Sequence, residues 1–383
     1  MAFNPFHISS RILPLTAAVA ILSLSAGYFA MAWSEPSGPM PVTVDAPINT
    51  GGTSQIKTGD LFLEGDFKVE SLIDFPTSIG STFLGYNAGS SNISGASNTF
   101  VGYQAGSSND MGNGNTANGA YALYSNNFGE HNTAIGSHTL YSNITESESA
   151  GYDNTAIGYY ALYSNKSGSQ NTANGYLSLR SNTSGYDNTA NGAYSLYSNT
   201  TGTNNTANGY AALFYNTTGV NNTANGYFSL FYNTTGYSNT ATGYWALGRN
   251  TKGYDNTANG FQALVNNTTG AGNTADGYAA LASNTTGTDN TANGAYSLQR
   301  NTTGSSNTSN GANSLQFNTT GKYNVAEGWA ALMDNTTGSG NSVVGYNAGA
   351  ITAGNYNTFL GYMAGNNALQ KVDAVNSMAL GNG

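Results

Sequence analysis

The chain has 383 residues, including 50 Gly and 27 Tyr, with no Cys and a formal net charge of −9. Only 8% of residues are charged while 12% are aromatic. That excludes an ordinary globular domain, in which about a quarter of residues are charged, and a disordered segment, which is poor in aromatics. The ten Lys and Arg are dispersed, which excludes nucleic acid as a partner because phosphate recognition needs clustered cations, and the absence of Cys excludes disulfides and thiolate chemistry.

The first 32 residues read as an export leader. Arg11 is the only full positive charge before an apolar run from Ile12 to Trp33, which closes on Ala30-Met31-Ala32. The small-x-small ending fits a signal-peptidase site, whereas the length of the run fits a membrane span of about 20 residues. Both readings stand: a cleaved signal, or an anchor through residues 12–32. Either implies a secreted or cell-surface location. Residues 33–80 form a linker and short N-terminal β module, opening with Glu35-Pro36-Ser37-Gly38-Pro39-Met40-Pro41 and followed by strand-like runs such as Val42-Thr43-Val44.

Residues 81–365 are repeats. Asn-Thr-Ala recurs with its Asn at 171, 188, 205, 222, 239, 256, 273 and 290, a period of 17. The one longer spacing, 22 residues from Asn132 to Asn154, holds an acidic insertion around Glu146 and Glu148 that reads as a surface loop. Seventeen residues cannot hold the two or three helices of a helical repeat. They can hold one turn of a parallel β-coil with two short strands and two corners. The fold class is therefore all-β, a parallel β-solenoid of about 17 coils with 17-residue repeats, forming a rod of roughly 80 Å at the ~4.8 Å strand spacing. Gly of Asn-Thr-Ala-Asn-Gly and Gly of Asn-Thr-Thr-Gly are expected at corners that need positive φ. A short tail, 366–383, completes the chain.

Stacking puts like on like. The column Leu179, Leu196, Leu213, Leu230, Leu247, Leu264, Leu281 and Leu298 is the expected structural core, with a thin Ala column beside it and Asn ladders between coils. The Tyr column (Tyr159, Tyr176, Tyr210, Tyr227, Tyr244, Tyr278) could face outward or inward, depending on where the corner falls. Asn-x-Thr sequons at Asn199, Asn216, Asn233, Asn284, Asn301, Asn318 and Asn335 read either as corner chemistry or as a regular glycan array. The outermost coils are apolar at columns that are polar inside, with Phe83 and Leu84 near one end and Phe359 and Leu360 near the other. Those four residues are expected either to plug the ends or to stack end to end into a filament.

No catalytic set emerges. His7 lies in the leader, and His131 and His138 occupy variable repeat positions. Asp276 and Glu327 each stand alone, whereas acid–base chemistry needs paired carboxylates. No cofactor and no metal are expected.

At Asn132-Thr133-Ala134-Ile135-Gly136, Asn154-Thr155-Ala156-Ile157-Gly158 and Asn341-Ser342-Val343-Val344-Gly345 the chain resembles the head repeats of trimeric autotransporter adhesins of the YadA type. The resemblance implies a left-handed parallel β-roll, a trimer and an adhesive role. The unit here is longer than the family's head repeat, the Ile or Val before Gly is mostly Asn, and neither a heptad stalk nor a C-terminal membrane barrel follows the repeats. Secretion through a barrel of its own is therefore not expected. Residues 46–59 resemble the N-terminal module of exported fibre- or pilus-tip-like proteins of uncultivated bacteria. The function expected is a non-enzymatic extracellular rod or filament subunit of adhesin type. Its partners would be copies of itself and surface glycans or ligands on host or neighbouring cells. The alternatives are a polysaccharide-binding or polysaccharide-cleaving β-helix and, less favoured, an ice-binding solenoid.

Overall fold

The computed structural model describes residues 80–144, 150–351, 354–366 and 375–381. The leader, the 33–79 segment, the acidic insertion at Glu146 and Glu148 and most of the tail lie outside the described residues. Within them the chain is all-β, with 18 parallel strands of three residues each in one continuous sheet, from β1 (Thr82–Leu84) and β2 (Thr99–Val101) to β17 (Thr358–Leu360) and β18 (Met378–Leu380). Each strand pairs in register with its copy one coil on, as in Thr206↔Thr223 and Ala207↔Ala224. The chain is a β-solenoid with a 17-residue repeat. Register survives the longer coil: β4 (Thr133–Ile135) pairs with β5 (Thr155–Ile157) across the 22-residue spacing.

Each coil carries one strand rather than two. The remainder is a run of turns, yet it too is stitched to its neighbours. The amides of Leu213 and Tyr215 donate forward to Ser229 and Phe231, while that of Ala211 donates back to Ala193. Inter-coil bonding therefore does not depend on extended geometry, and tight turns take the place of the second strand.

Three side-chain systems fill the interior. The Leu column is fully buried from Leu123 to Leu332, as is the Ala column of the strands; each buried Leu contributes about 1.5–3 kcal/mol. Two Asn ladders flank this stripe. In the first, Asn205 donates from its backbone N and from Nδ2 to Asn188 Oδ1, both at 3.1 Å, and from Nδ2 to Gly219 O at 2.9 Å. In the second, Asn216 Nδ2 donates to Asn199 Oδ1 at 2.8 Å and to Gly219 O at 3.1 Å. Buried amides would otherwise be expensive; here each finds its partner in the adjacent copy of itself.

The two glycines of the repeat do different work. Gly209 has φ +131°, and a Cβ on it would sit 2.7 Å from Gly226 O. Gly219 does not have positive φ; a Cβ there would overlap Asn216 Oδ1 and Gly236 O. The second glycine thus makes room for the Asn ladder rather than for a corner. The left-handed conformation falls instead on the buried Leu, with φ +54° at Leu213 and +50° at Leu230. That conformation costs an L residue about 1–2 kcal/mol, which the burial of Leu offsets.

At the ends, the core is filled from the other side of the coil. Phe83, Phe100 and Phe359 occupy the Ala column, and Gly89, Gly106 and Gly365 occupy the Leu column of the same coils. A Cβ on Gly106 would lie 2.5 Å from the Phe100 ring. Phe83 stacks on Phe100 with ring centroids 5.2 Å apart, and Phe359 is 1% exposed. Phe359 does not end the rod, because β18 pairs over β17 and Ala379 packs on the core. Leu84 and Leu360 take the outward position of their strands, with 62% and 51% exposure, and so face sideways rather than along the axis. Of the four residues expected either to plug the ends or to stack end to end, Phe83 and Phe359 thus pack on or into the core, and Leu84 and Leu360 lie on the lateral face.

Candidate functional site

With the interior committed to Leu, Ala and Asn, chemistry is confined to outward columns. The sequon asparagines do not belong to them. Asn199, Asn216, Asn233, Asn284, Asn301, Asn318 and Asn335 are all fully buried. Each donates from Nδ2 to the preceding Asn at 2.7–3.0 Å and to a Gly carbonyl of its own coil at 2.9–3.1 Å. Both N–H groups are used, and no space surrounds them. A glycan on Nδ2 is incompatible with the folded coil, so the sequons are ladder chemistry.

The Tyr column faces outward. Tyr210, Tyr227, Tyr244, Phe261 and Tyr278 form an unbroken stack with centroids 5.1–5.6 Å apart and planes within 13°. Face-to-face stacking covers the ring faces and leaves the edges to solvent, and each ring is 40–47% exposed. A second aromatic surface lies beside it. His138 stacks between Tyr121 and Tyr160 at 4.9 and 4.8 Å, and burial lowers its pKa from the ordinary imidazole value. Burial, reinforced by neighbouring phenols, raises the pKa of Tyr121, Tyr141, Tyr159 and Tyr194.

The lone polar residues stay dispersed. His131 and Asp153 are 3.5 Å apart and mostly exposed, and Asp276 continues the outward Asn column by accepting from Asn259 Nδ2 at 3.2 Å. Among the described residues no group of three His, Asp or Glu could hold a metal ion, and no helix is long and apolar enough to cross a membrane.

One coil differs from the rest. Trp245 stands where the preceding coil has Phe228, Gly248 where it has Phe231, Arg249 where it has Tyr232, and Lys252 where it has Thr235. A Cβ at Gly248 would overlap the indole of Trp245, so the glycine lets the indole lie across its own coil towards Phe231 and Tyr232, at 5.8 and 6.3 Å. Tyr215 and Tyr232 stack at 5.4 Å and 3°, and the stack then stops, because Arg249 follows in that column. An open groove of about 640 Å³ results, lined by Tyr215, Tyr232, Trp245, Arg249 and the Thr217–Thr234–Thr251 row. Sequence reading missed it, although four departures from the repeat in a single coil were visible. The chain matches no protein-family model, no curated protein and no solved structure.

Proposed function

We propose that this chain is a non-catalytic structural protein of the cell exterior, exported by way of residues 1–32, whose solenoid is a stiff rod presenting repeated side-chain rows to its surroundings. One observation carries the reading. In the central coils the buried asparagines bond to their copies in the neighbouring coil, so the interior serves length and stiffness while the outer rows vary. Multiplied weak contacts along such rows suit adhesion, in keeping with the resemblance to YadA-type heads and with self-association into a trimer or filament. The test is electron microscopy of the full chain together with protease shaving of intact source cells. Rods of roughly 80 Å, released by shaving, are the expected result. A compact particle, or a protein protected until the cells are lysed, would overturn the reading.

A second reading, ice binding, has one observation in its favour. The outward positions of the central strands present Thr and Asn in two parallel columns, with Asn191 Nδ2 bonded to Asn208 Oδ1 at 3.0 Å and Asn208 to Asn225 at 2.8 Å. Inhibition of ice recrystallisation at micromolar protein would favour it over adhesion.

A further inference from the structure

We propose that the coil carrying Trp245, Gly248 and Arg249 is a binding site for an acidic polysaccharide, in which a uronic-acid ring lies on the Tyr232–Trp245 surface with its carboxylate towards Arg249. The proposal deepens the rod reading by naming a partner and rests on it.

Within the long Tyr column, ring faces are covered. Phe261 lies between Tyr244 and Tyr278 at 5.2 and 5.1 Å, and a sugar could reach only its edge. The two other arginines of the described coils are themselves spent on rings: Arg300 sits 4.5 Å from the centre of Phe317, and Arg180 lies over Tyr160, Tyr163 and Tyr197 at 5.6–6.0 Å. Arg249 instead reaches the next coil and donates to Asn266 Oδ1 at 3.0 Å. The stack of Tyr215 on Tyr232 ends at Arg249, and the second face of Tyr232 opens onto the groove.

The polar groups of the groove are sorted by role. Thr217, Thr234 and Thr251 each donate their hydroxyl hydrogen to a main-chain carbonyl one coil on, at 3.0 Å. Their oxygens are left to accept from sugar hydroxyls. Arg249 and Lys252 can only donate, and both are exposed. Theirs is the one coil among the described residues that carries two Lys or Arg, with Asp255 also in it, and of the two cations Arg249 lines the groove. The groove lining holds no Asp or Glu. Apolar ring faces, a row of acceptors and the Arg249 guanidinium together match a pyranose that has an apolar face, hydroxyls and a carboxylate. The groove runs across four successive coils from Ser198 to Arg249, which at ~4.8 Å per coil gives roughly 14 Å, enough for a short oligosaccharide.

The test is isothermal titration of the full chain with oligogalacturonate and, separately, with a cello-oligosaccharide of equal length. The expected result is saturable binding of the oligogalacturonate, weakened by salt, with the neutral sugar at least about tenfold weaker, a difference of about 1.4 kcal/mol. Trp245→Ala and Arg249→Gln should each weaken uronate binding roughly tenfold or more. Trp329→Ala, at a Trp stacked on Tyr346 far from the groove, should leave it unchanged. Trp245→Phe copies Phe228 of the preceding coil, so it preserves the fold while removing the indole, and it should fall between wild type and Trp245→Ala. No uronate binding, equal binding of both sugars, or equal binding by Trp245→Ala and Trp329→Ala would each overturn the proposal. Shortening of the oligogalacturonate during titration would overturn the non-catalytic reading while leaving the site in place, so the two failures are distinguishable.

Discussion

The central coils and the end coils solve the same packing problem from opposite sides. In the centre, Ala207 and Leu213 share the cross-section, and Leu213 takes a left-handed backbone to reach it. At the N-terminal end, Phe100 fills that space from the strand and Gly106, at φ +57°, stands where Leu would be. Gly bears that backbone without strain, whereas Leu does not. The difference shows that the conserved quantity along the rod is the filled volume of the cross-section together with the left-handed turn, and not the residue that supplies either. Interiors packed to crystal-like density leave no other freedom.

The largest effect should come from exchanging the two solutions in a central coil. Leu213→Gly should destabilise by about 2–5 kcal/mol through the cavity it opens, and Ala207→Phe should destabilise by overpacking, about 1–3 kcal/mol or more. The double variant, which copies the end coil, should be more stable than the sum of the singles by at least about 1 kcal/mol in a double-mutant cycle read by urea unfolding. Strict additivity would show that the two columns are independent and that the comparison is wrong.

A smaller effect separates the middle of the second Asn ladder from its end. Asn216→Ala strands one of the two Nδ2 hydrogens of Asn233, the other staying on Gly236 O, and the Oδ1 of Asn199, each a buried polar group costing about 1–3 kcal/mol when unpaired. Asn335 closes the ladder, and its own Oδ1 has no partner, so Asn335→Ala strands no amide beyond it. Asn216→Ala should lower the unfolding midpoint clearly more than Asn335→Ala. Equal losses would mean that the ladder bonds contribute nothing beyond local packing.

The smallest effect is a pH dependence in the aromatic column that holds His138. Because burial lowers its pKa in the folded chain, protons bind the unfolded chain more readily. Stability should be constant above about pH 6.5, the ordinary imidazole value, should fall as pH drops below it, and should level off once the lowered folded value is passed. His138→Asn, which copies Asn87 and Asn347 of the end coils, should flatten this part of the melting-temperature profile. A slope unchanged in the variant would assign the dependence to other groups.

The period, the parallel stacking and the inward Leu column were legible in the sequence, because a repeat of fixed length forces like residues into register and one column is apolar throughout. What side chains reach was not legible. Asn216 and Thr217 match a glycosylation signal as letters, yet the Asn lies inside the coil because its amide pairs with Asn199 and Gly219. Gly219 matched a corner residue, yet it serves to keep Cβ off the ladder. The missing second strand follows from Leu213 turning left-handed, and propensity argues against that conformation for Leu. The direction of the Tyr column depended on where that turn fell. The groove was written in the sequence as Trp245, Gly248 and Arg249, but attention to the repeat hid its exception.

The ladders also give the rod an electrical sense. Asn216 Oδ1 accepts from Asn233 Nδ2 on its C-terminal side, and Asn188 Oδ1 accepts from Asn205 in the same direction. The side-chain carbonyls of both ladders therefore point towards the C-terminal end, coil after coil, while main-chain bonds run in both directions between neighbours, with more amides donating towards the C-terminal end than away from it. Amide dipoles aligned head to tail add, as they do along a helix. The solenoid thus carries two parallel files of aligned amides through its interior, one ending in the bare carbonyl of Asn335 and the other passed on by Asn357 Oδ1 to the Ser377 amide. Its two ends are therefore unlike in the polar groups they leave exposed to one side, as well as in sequence.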